Sequence, residues 1–239
     1  MNTLLQHTQH RPFPLPKGEW MYYQEWNDAL FLHWEVPYSA LRKLVPAEFT
    51  IDTFKGKAYI SLVTFTMQKI RLRYLPAVKA ISDFDEINIR TYVTHQNKPG
   101  VYFLNIEAGK LLSAKVAKVI SGLPYEKSTM FRKPGIYLST HSIKNFLFES
   151  NYKIGSLKSP KTTLDHWLTE RYCLYLQQKN QAYRYDIHHL EWEIKTIHFD
   201  YLKVNYQIEE IQLTAKPDCC HYSKGVQVLA WPREKIGNK

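Results

Sequence analysis

Apolar and polar residues alternate with a period of two in segment after segment of this chain, and that alternation confines it to a fold built from sheets. In LFLHWEV at 30–36, Leu30, Leu32, Trp34 and Val36 share one face. AYISLVTFTMQKIRLR at 58–73, FDEINIRTYV at 84–93 and VYFLNIEA at 101–108 follow the same rule. GIYLSTHS, NFLFESNYKIG, YCLYL, AYRYDIHHLEW, IHFDYLKVNYQI and GVQVLAWP extend it towards the C-terminus. The 58–73 run exceeds the usual strand length, so a bend or bulge is expected within it. HQNKPG, with its Gly and Pro, predicts a hairpin. Three helices interrupt the strands. SALRKLV at 39–45 has Ser39 as N-cap, KLLSAKVAKVIS at 110–121 has an apolar stripe stopped by Gly122, and TTLDHWLTER has Thr163 as N-cap with Asp165 in its first turn. Residues 1–18, with Pro12, Pro14 and Pro16, read as an extended or mobile arm, and 19–239 as one mainly β domain, a barrel or curved sheets.

Lys and Arg exceed Asp and Glu by 10, at a pI near 9.3. The surplus favours anionic partners, nucleic acid among them. Its cations are scattered, however, and KIRLR at 69–73 and KSPK at 158–161 are short, so a basic solvated surface is the favoured reading. Three cysteines, two of them adjacent, make a poor disulfide framework and point to a reducing cytoplasm. No apolar run approaches the length of a signal peptide core or a membrane span. Homo-oligomerisation stays open.

Alternate residues on a strand stand roughly 6.6 Å apart along one face. Glu86, Asn88, Arg90 and Tyr92 therefore form one polar row, either the wall of a cavity or a solvated outer face. Arg71 and Arg73 share a face of another strand, and guanidinium is well matched to carboxylates. Glu170 and Arg171 lie where the last helix hands over to a strand; ion pairs within the fold are favoured for them over catalysis. His188 and His189, with Cys219, Cys220 and His221, raise a zinc reading. Neighbours on a strand face opposite ways, so no metal is expected, and these histidines are left as acid–base or hydrogen-bonding groups. No Gly-rich phosphate loop, nucleophile elbow or HExxH is present.

LFLHWEVPYSALRKLVP, FTIDTFKGKAYISLVTF, IRLRYLPA, FDEINIRTYV, KPGVYFL, GLPY, TLDHWLTERYCLY, IHH and CCHYS, in that order over residues 26–232, resemble the YqjF-like bacterial family, domain of unknown function 2071. The resemblance implies an acetoacetate decarboxylase-like fold, a barrel or cone of curved antiparallel sheets around a central cavity. VPYSALRKLVPAEFTID is similar to the decarboxylases' strand–helix–proline segment. The helix leading into GLPYEK resembles their helix leading into Tyr-Pro-Lys-Lys, whose first lysine forms a Schiff base. Here Tyr125 follows Pro124, and a phenol cannot condense with a ketone to an iminium. Lys127 is left as a solvated residue, and Asn27 stands nearest to the decarboxylases' missing arginine.

If the family's cavity is present, the polar row becomes its wall. The resemblance then implies a cytoplasmic protein that binds a small anionic or aromatic metabolite, with no cofactor. Arg90, Arg71 or Arg73 would hold negative charge, Glu86 and His188 would move protons, and Tyr125 would donate a hydrogen bond. Asn88, Tyr92, Glu170, Arg171, His189 and His221 complete the candidate set. Three other readings stand beside it: a lyase-like acid–base enzyme acting on a small carbonyl or carboxylate compound, a basic nucleic-acid-binding protein, and a non-binding structural or interaction module whose polar row is paired internally.

Overall fold

The computed structural model describes residues 2–110, 123, 125–214 and 216–237. The helix expected at 110–121 lies, beyond Lys110, outside the described residues. Four helices, α1 (Asn2–Gln6), α2 (Tyr38–Leu44), α3 (Lys79–Ser82) and α4 (Thr163–Thr169), accompany the strands among the described residues. In chain order these are β1 (Tyr22–Val36), β2 (Thr50–Ile51), β3 (Ala58–Leu72), β4 (Phe84–His95), β5 (Lys98–Ala108), β6 (Tyr125–Lys127), β7 (Thr129–Lys133), β8 (Ile136–His141) and β9 (Phe146–Leu157). β10 (Cys173–Gln178), β11 (Gln181–His188), β12 (Ile194–Ile208), β13 (Ile211–Leu213), β14 (Cys219–Ala230) and β15 (Glu234–Ile236) follow.

The strands run β11–β10–β5–β4–β3–β1–β14, and β14 returns to β11 through Ile187↔Ala230 and His188↔Leu229, which closes a barrel. β14 also pairs with β12, which carries β9, β8 and β7 as an outer sheet. Two unlike faces result. Leu30, Leu32 and Trp34 of β1 pack with Ile60 and Leu62 of β3 and Ile87 and Ile89 of β4 on the barrel's outside. Phe148, Tyr206 and Leu41, from the outer sheet and α2, cover them. Because hydrocarbon on the outside is buried by a second layer, the polar alternates of β4 are turned into the barrel.

The bend expected in β3 falls at Lys69, and β1 has a matching irregularity at Asp28; both residues have positive φ, 53° and 52°. The extra residue at Asp28 shifts the parity of β1, so Gln24 and Trp26 before it and Phe31 after it all look inward.

Several local expectations are corrected. The β4–β5 hairpin turns at Gln96 and Asn97, both at positive φ, while Pro99 and Gly100 belong to β5. A Cβ on Gly100 would lie 2.5 Å from the Cys173 carbonyl, because β10 crosses there. Ser39 does not cap α2, which begins one residue earlier after Pro37. The cap of α4 is Thr162, not Thr163, in a capping box with Asp165. Residues 1–18 are not simply extended. They include α1, whose Leu4 packs with Trp20, Tyr23, Leu229 and Trp231, and Arg11 donates to the Ile187 carbonyl at 2.7 Å. Among the described residues no helix is long and apolar enough to cross a membrane.

Candidate functional site

The barrel holds a cavity of about 290 Å³ that opens to solvent beside Leu72, Leu75 and Val78. Its walls are mostly apolar, with Trp26, Phe31, Phe65, Phe103, Leu174 and Trp192 among them. Glu86, Asn88 and Arg90 of β4 form one polar wall, Tyr125 of β6 joins it, and Gln24 and Arg71 add polarity.

Glu86 is 3% exposed. Asn88 Nδ2 donates to its Oε1 at 3.1 Å and Tyr125 Oη to its Oε2 at 2.8 Å. Burial pushes the carboxyl up to about 7, even though both hydrogen bonds and Arg90 favour the anion. Burial, followed by the charge of Glu86, raises Tyr125 well above an ordinary phenol and keeps it a donor. Arg90 is 7% exposed, with its guanidinium 5.7 Å from the Phe31 ring centre. Its Nε, Asn88 Oδ1 and Trp26 Nε1 are buried atoms with no hydrogen-bond partner among the described residues. Nor does any described carboxylate form a salt bridge with Arg90. Such a wall can take a small anion on a guanidinium and offer it a carboxyl that titrates near neutrality.

Behind Arg90 runs a buried polar chain. Ser61 is the cross-strand partner of Arg90, and its Oγ lies 2.6 Å from His33 Nδ1 and 2.5 Å from Tyr92 Oη. Tyr92 Oη donates to the Leu168 carbonyl at 2.9 Å. His33 Nε2 is 3.4 Å from His221 Nδ1, and His221 Nε2 is 2.7 Å from Asp165 Oδ1. The protons in this chain can be counted. Tyr92 spends its proton on the carbonyl, so Ser61 must donate to Tyr92 and accept from Nδ1–H of His33. His33 is fully buried and touches no carboxylate, so it carries one proton and its Nε2 accepts from Nδ1–H of His221.

The remaining candidates lie away from the cavity. Arg73 pairs with Glu19 at 2.9 Å and packs on Trp20. Glu170 accepts from Lys161 at 2.7 Å, from Tyr172 Oη at 2.9 Å and from the Trp192 backbone at 3.1 Å. Arg171 bonds Asp52 at 2.5 Å and lies over Tyr92 and Trp167. His188 donates Nε2–H to the Leu4 carbonyl at 2.8 Å and accepts from Arg11 at 3.2 Å; burial pulls it down to about 4. His189 is buried, with Nδ1 2.7 Å from the Leu190 carbonyl and its ring on Tyr172. Lys127 is exposed and bonds the Ser128 carbonyl. Sequence reasoning passed over Trp26, His33 and Ser61. Inward parity on β1 and β3 was the available signal for the last two, whereas Trp26 depended on the unforeseen bulge.

A closed barrel with an outer sheet packed against it is the acetoacetate decarboxylase-like class of fold. Solved structures agree. An acetoacetate decarboxylase-like enzyme from Sphingomonas wittichii RW1 superposes with a TM-score of 0.60 at 11% identity, covering 96% of this chain and 98% of that one. Acetoacetate decarboxylase from Legionella pneumophila gives 0.58 at 11%, covering 95% and 94%. The enduracididine biosynthesis enzyme MppR, solved with pyruvate, gives 0.57 at 8%, covering 95% and 93%. Within that class the chain belongs to the uncharacterized conserved protein family called domain of unknown function 2071, which it matches over residues 23–227. It is 38% identical over 236 residues to the uncharacterized protein YqjF of Bacillus subtilis (strain 168), covering 95% of this chain and 97% of that one.

Proposed function

We propose that the cavity binds a small organic carboxylate with an apolar body, held by its carboxylate on Arg90, and that Glu86 and Tyr125 exchange a proton with the bound molecule. The observation that carries this reading is a buried guanidinium with no carboxylate partner among the described residues. Such a charge is costly without a counter-ion, and a bound anion supplies one. The apolar walls suit a hydrocarbon or aromatic body. Acetoacetate and pyruvate, named with the structural neighbours, are both small oxo acids, which favours the same ligand class here. Among the described residues lining the cavity there is no lysine, so the chemistry proposed is acid–base and not iminium formation. The three free cysteines suit a cytoplasmic setting.

Thermal-shift titration with acetate, pyruvate, acetoacetate, benzoate and their neutral amides tests the reading. The carboxylates are expected to raise Tm in the wild type and the amides are not. Arg90→Met should abolish the response. An equal response in that variant, or none to any carboxylate in the wild type, would overturn it.

A further inference from the structure

A second cluster stands apart from the cavity lining. Asp165, Cys219 and His221 offer an oxygen, a sulfur and a nitrogen that all lie within 4.8 Å of one another. Cys219 and His221 are two residues apart on β14 and so share a face, with Sγ 3.4 Å from Nε2. Asp165 comes from the first turn of α4, where the capping box holds its Oδ2 on the Thr162 backbone N–H at 2.8 Å. Its Oδ1 is thereby turned towards His221. Ligand bonds of about 2.0–2.3 Å in a tetrahedron place donor atoms roughly 3.3–3.6 Å apart. The sulfur–nitrogen edge of 3.4 Å already matches such a site, the oxygen–nitrogen edge of 2.7 Å has to open, and the sulfur–oxygen edge is at most 4.8 Å.

We propose that Asp165 Oδ1, Cys219 Sγ and His221 Nε2 bind a divalent cation of the zinc class. Thiolate and imidazole select zinc over magnesium or calcium, which prefer all-oxygen shells. The proton count along the buried chain points the same way. His221 spends its Nδ1–H on His33, so the lone pair of Nε2 is directed at the carboxylate and sulfur. Two lone pairs facing one another at 2.7 Å need a cation between them: a proton, which makes an imidazolium–carboxylate pair, in the metal-free protein, and the metal once it displaces that proton. His33 then acts as the outer partner that fixes the imidazole tautomer, with Ser61 and Tyr92 behind it. Lys158 Nζ also contacts Asp165 Oδ1 at 2.7 Å; its side chain is 31% exposed on a flexible stem and gives way to the solvent side as the cation enters. Adjacent residues on a strand face opposite ways, so neither the CC nor the HH pair can give two ligands to one ion. A site drawing one residue from CC, its i+2 neighbour and a helix residue escapes that objection.

Metal-free full-length protein, kept reduced, is titrated with Co²⁺ and the thiolate-to-cobalt charge-transfer absorption is followed. The expected result is one Co²⁺ per chain with that band, which Zn²⁺ then displaces. Cys219→Ser loses the band, whereas Cys220→Ser, one residue on and facing the other way, keeps it. His33→Gln weakens binding by about 10- to 100-fold, and Lys158→Met strengthens it. Absence of the band in the wild type, its survival in Cys219→Ser, or its loss in Cys220→Ser would each overturn the proposal, and the Cys220 variant controls for folding. Because the site shares no residue with the cavity lining, its failure leaves the carboxylate reading intact.

Discussion

Glu86 is the residue on which pH acts most directly. Unfolded, its carboxyl titrates near 4.5; folded, burial moves it to about 7. Between those values the native state binds more protons than the unfolded chain, so its stability declines as pH rises from about 4.5 through 7 and is level beyond. That interval corresponds to about 3 kcal/mol. Glu86→Gln, which cannot ionise, should flatten this slope, measured by urea denaturation at pH 5, 6, 7 and 8. A slope unchanged from wild type would show that the carboxyl titrates in its ordinary range. Tyr125→Phe removes one donor to the anion. It should move the Glu86 transition to higher pH and cost about 1.5–3 kcal/mol above pH 7, where the carboxylate has lost a charge-assisted bond. At this scale the sequence was informative only where alternation governs direction. Glu86, Asn88 and Arg90 share a face by parity alone, whereas His188 and Glu170 sit near element ends, where the chain's turn chooses their neighbours.

Helix α4 is a short element with several attachments. Its capping box closes the N-terminus, Arg171 just beyond it holds Asp52, and the Leu168 carbonyl takes the proton of Tyr92. Thr162→Ala should cost about 1 kcal/mol through the lost cap, and it also frees Asp165 to change rotamer, so weaker cobalt binding is expected alongside. The junction of β5 with β10 is less tolerant still. Gly100→Ala drives a methyl into the Cys173 carbonyl and the Tyr175 ring and should cost about 1–3 kcal/mol in denaturant melts. A helix before Pro-flanked strands and a Gly at a crossing can both be suspected from sequence. The cap follows from the local Thr162–Asp165 spacing of a capping box, whereas which strand lies against the Gly depends on pairing between segments more than seventy residues apart.

For the whole molecule, the cations behind the surplus of ten positive charges are scattered along the sequence. Lys43, Lys57 and Lys153 each pair with an exposed or half-exposed carboxylate, Glu210, Glu35 and Asp200. If the cations are as scattered over the surface, no retention of DNA or RNA is expected in a filter-binding assay at about 50 mM salt. Steep salt-dependent binding there would revive the nucleic-acid reading. The charge that matters to the proposed ligand is inside. Because ionised Glu86 stands on the same wall as Arg90, a carboxylate should raise Tm more at pH 6 than at pH 8.

Period-two alternation determined, by itself, that this chain forms strands with two unlike faces, and the order of its motifs placed it in a family and a fold class. It could not say which face is wet. That was decided when β14 closed the barrel onto β11 and the β7–β9 and β12 strands covered the outside. Alternation is a property of neighbouring residues, whereas inside and outside exist only once distant strands have paired. The same reason hid the cluster of Asp165, Cys219 and His221, whose members meet only because α4 docks against β14.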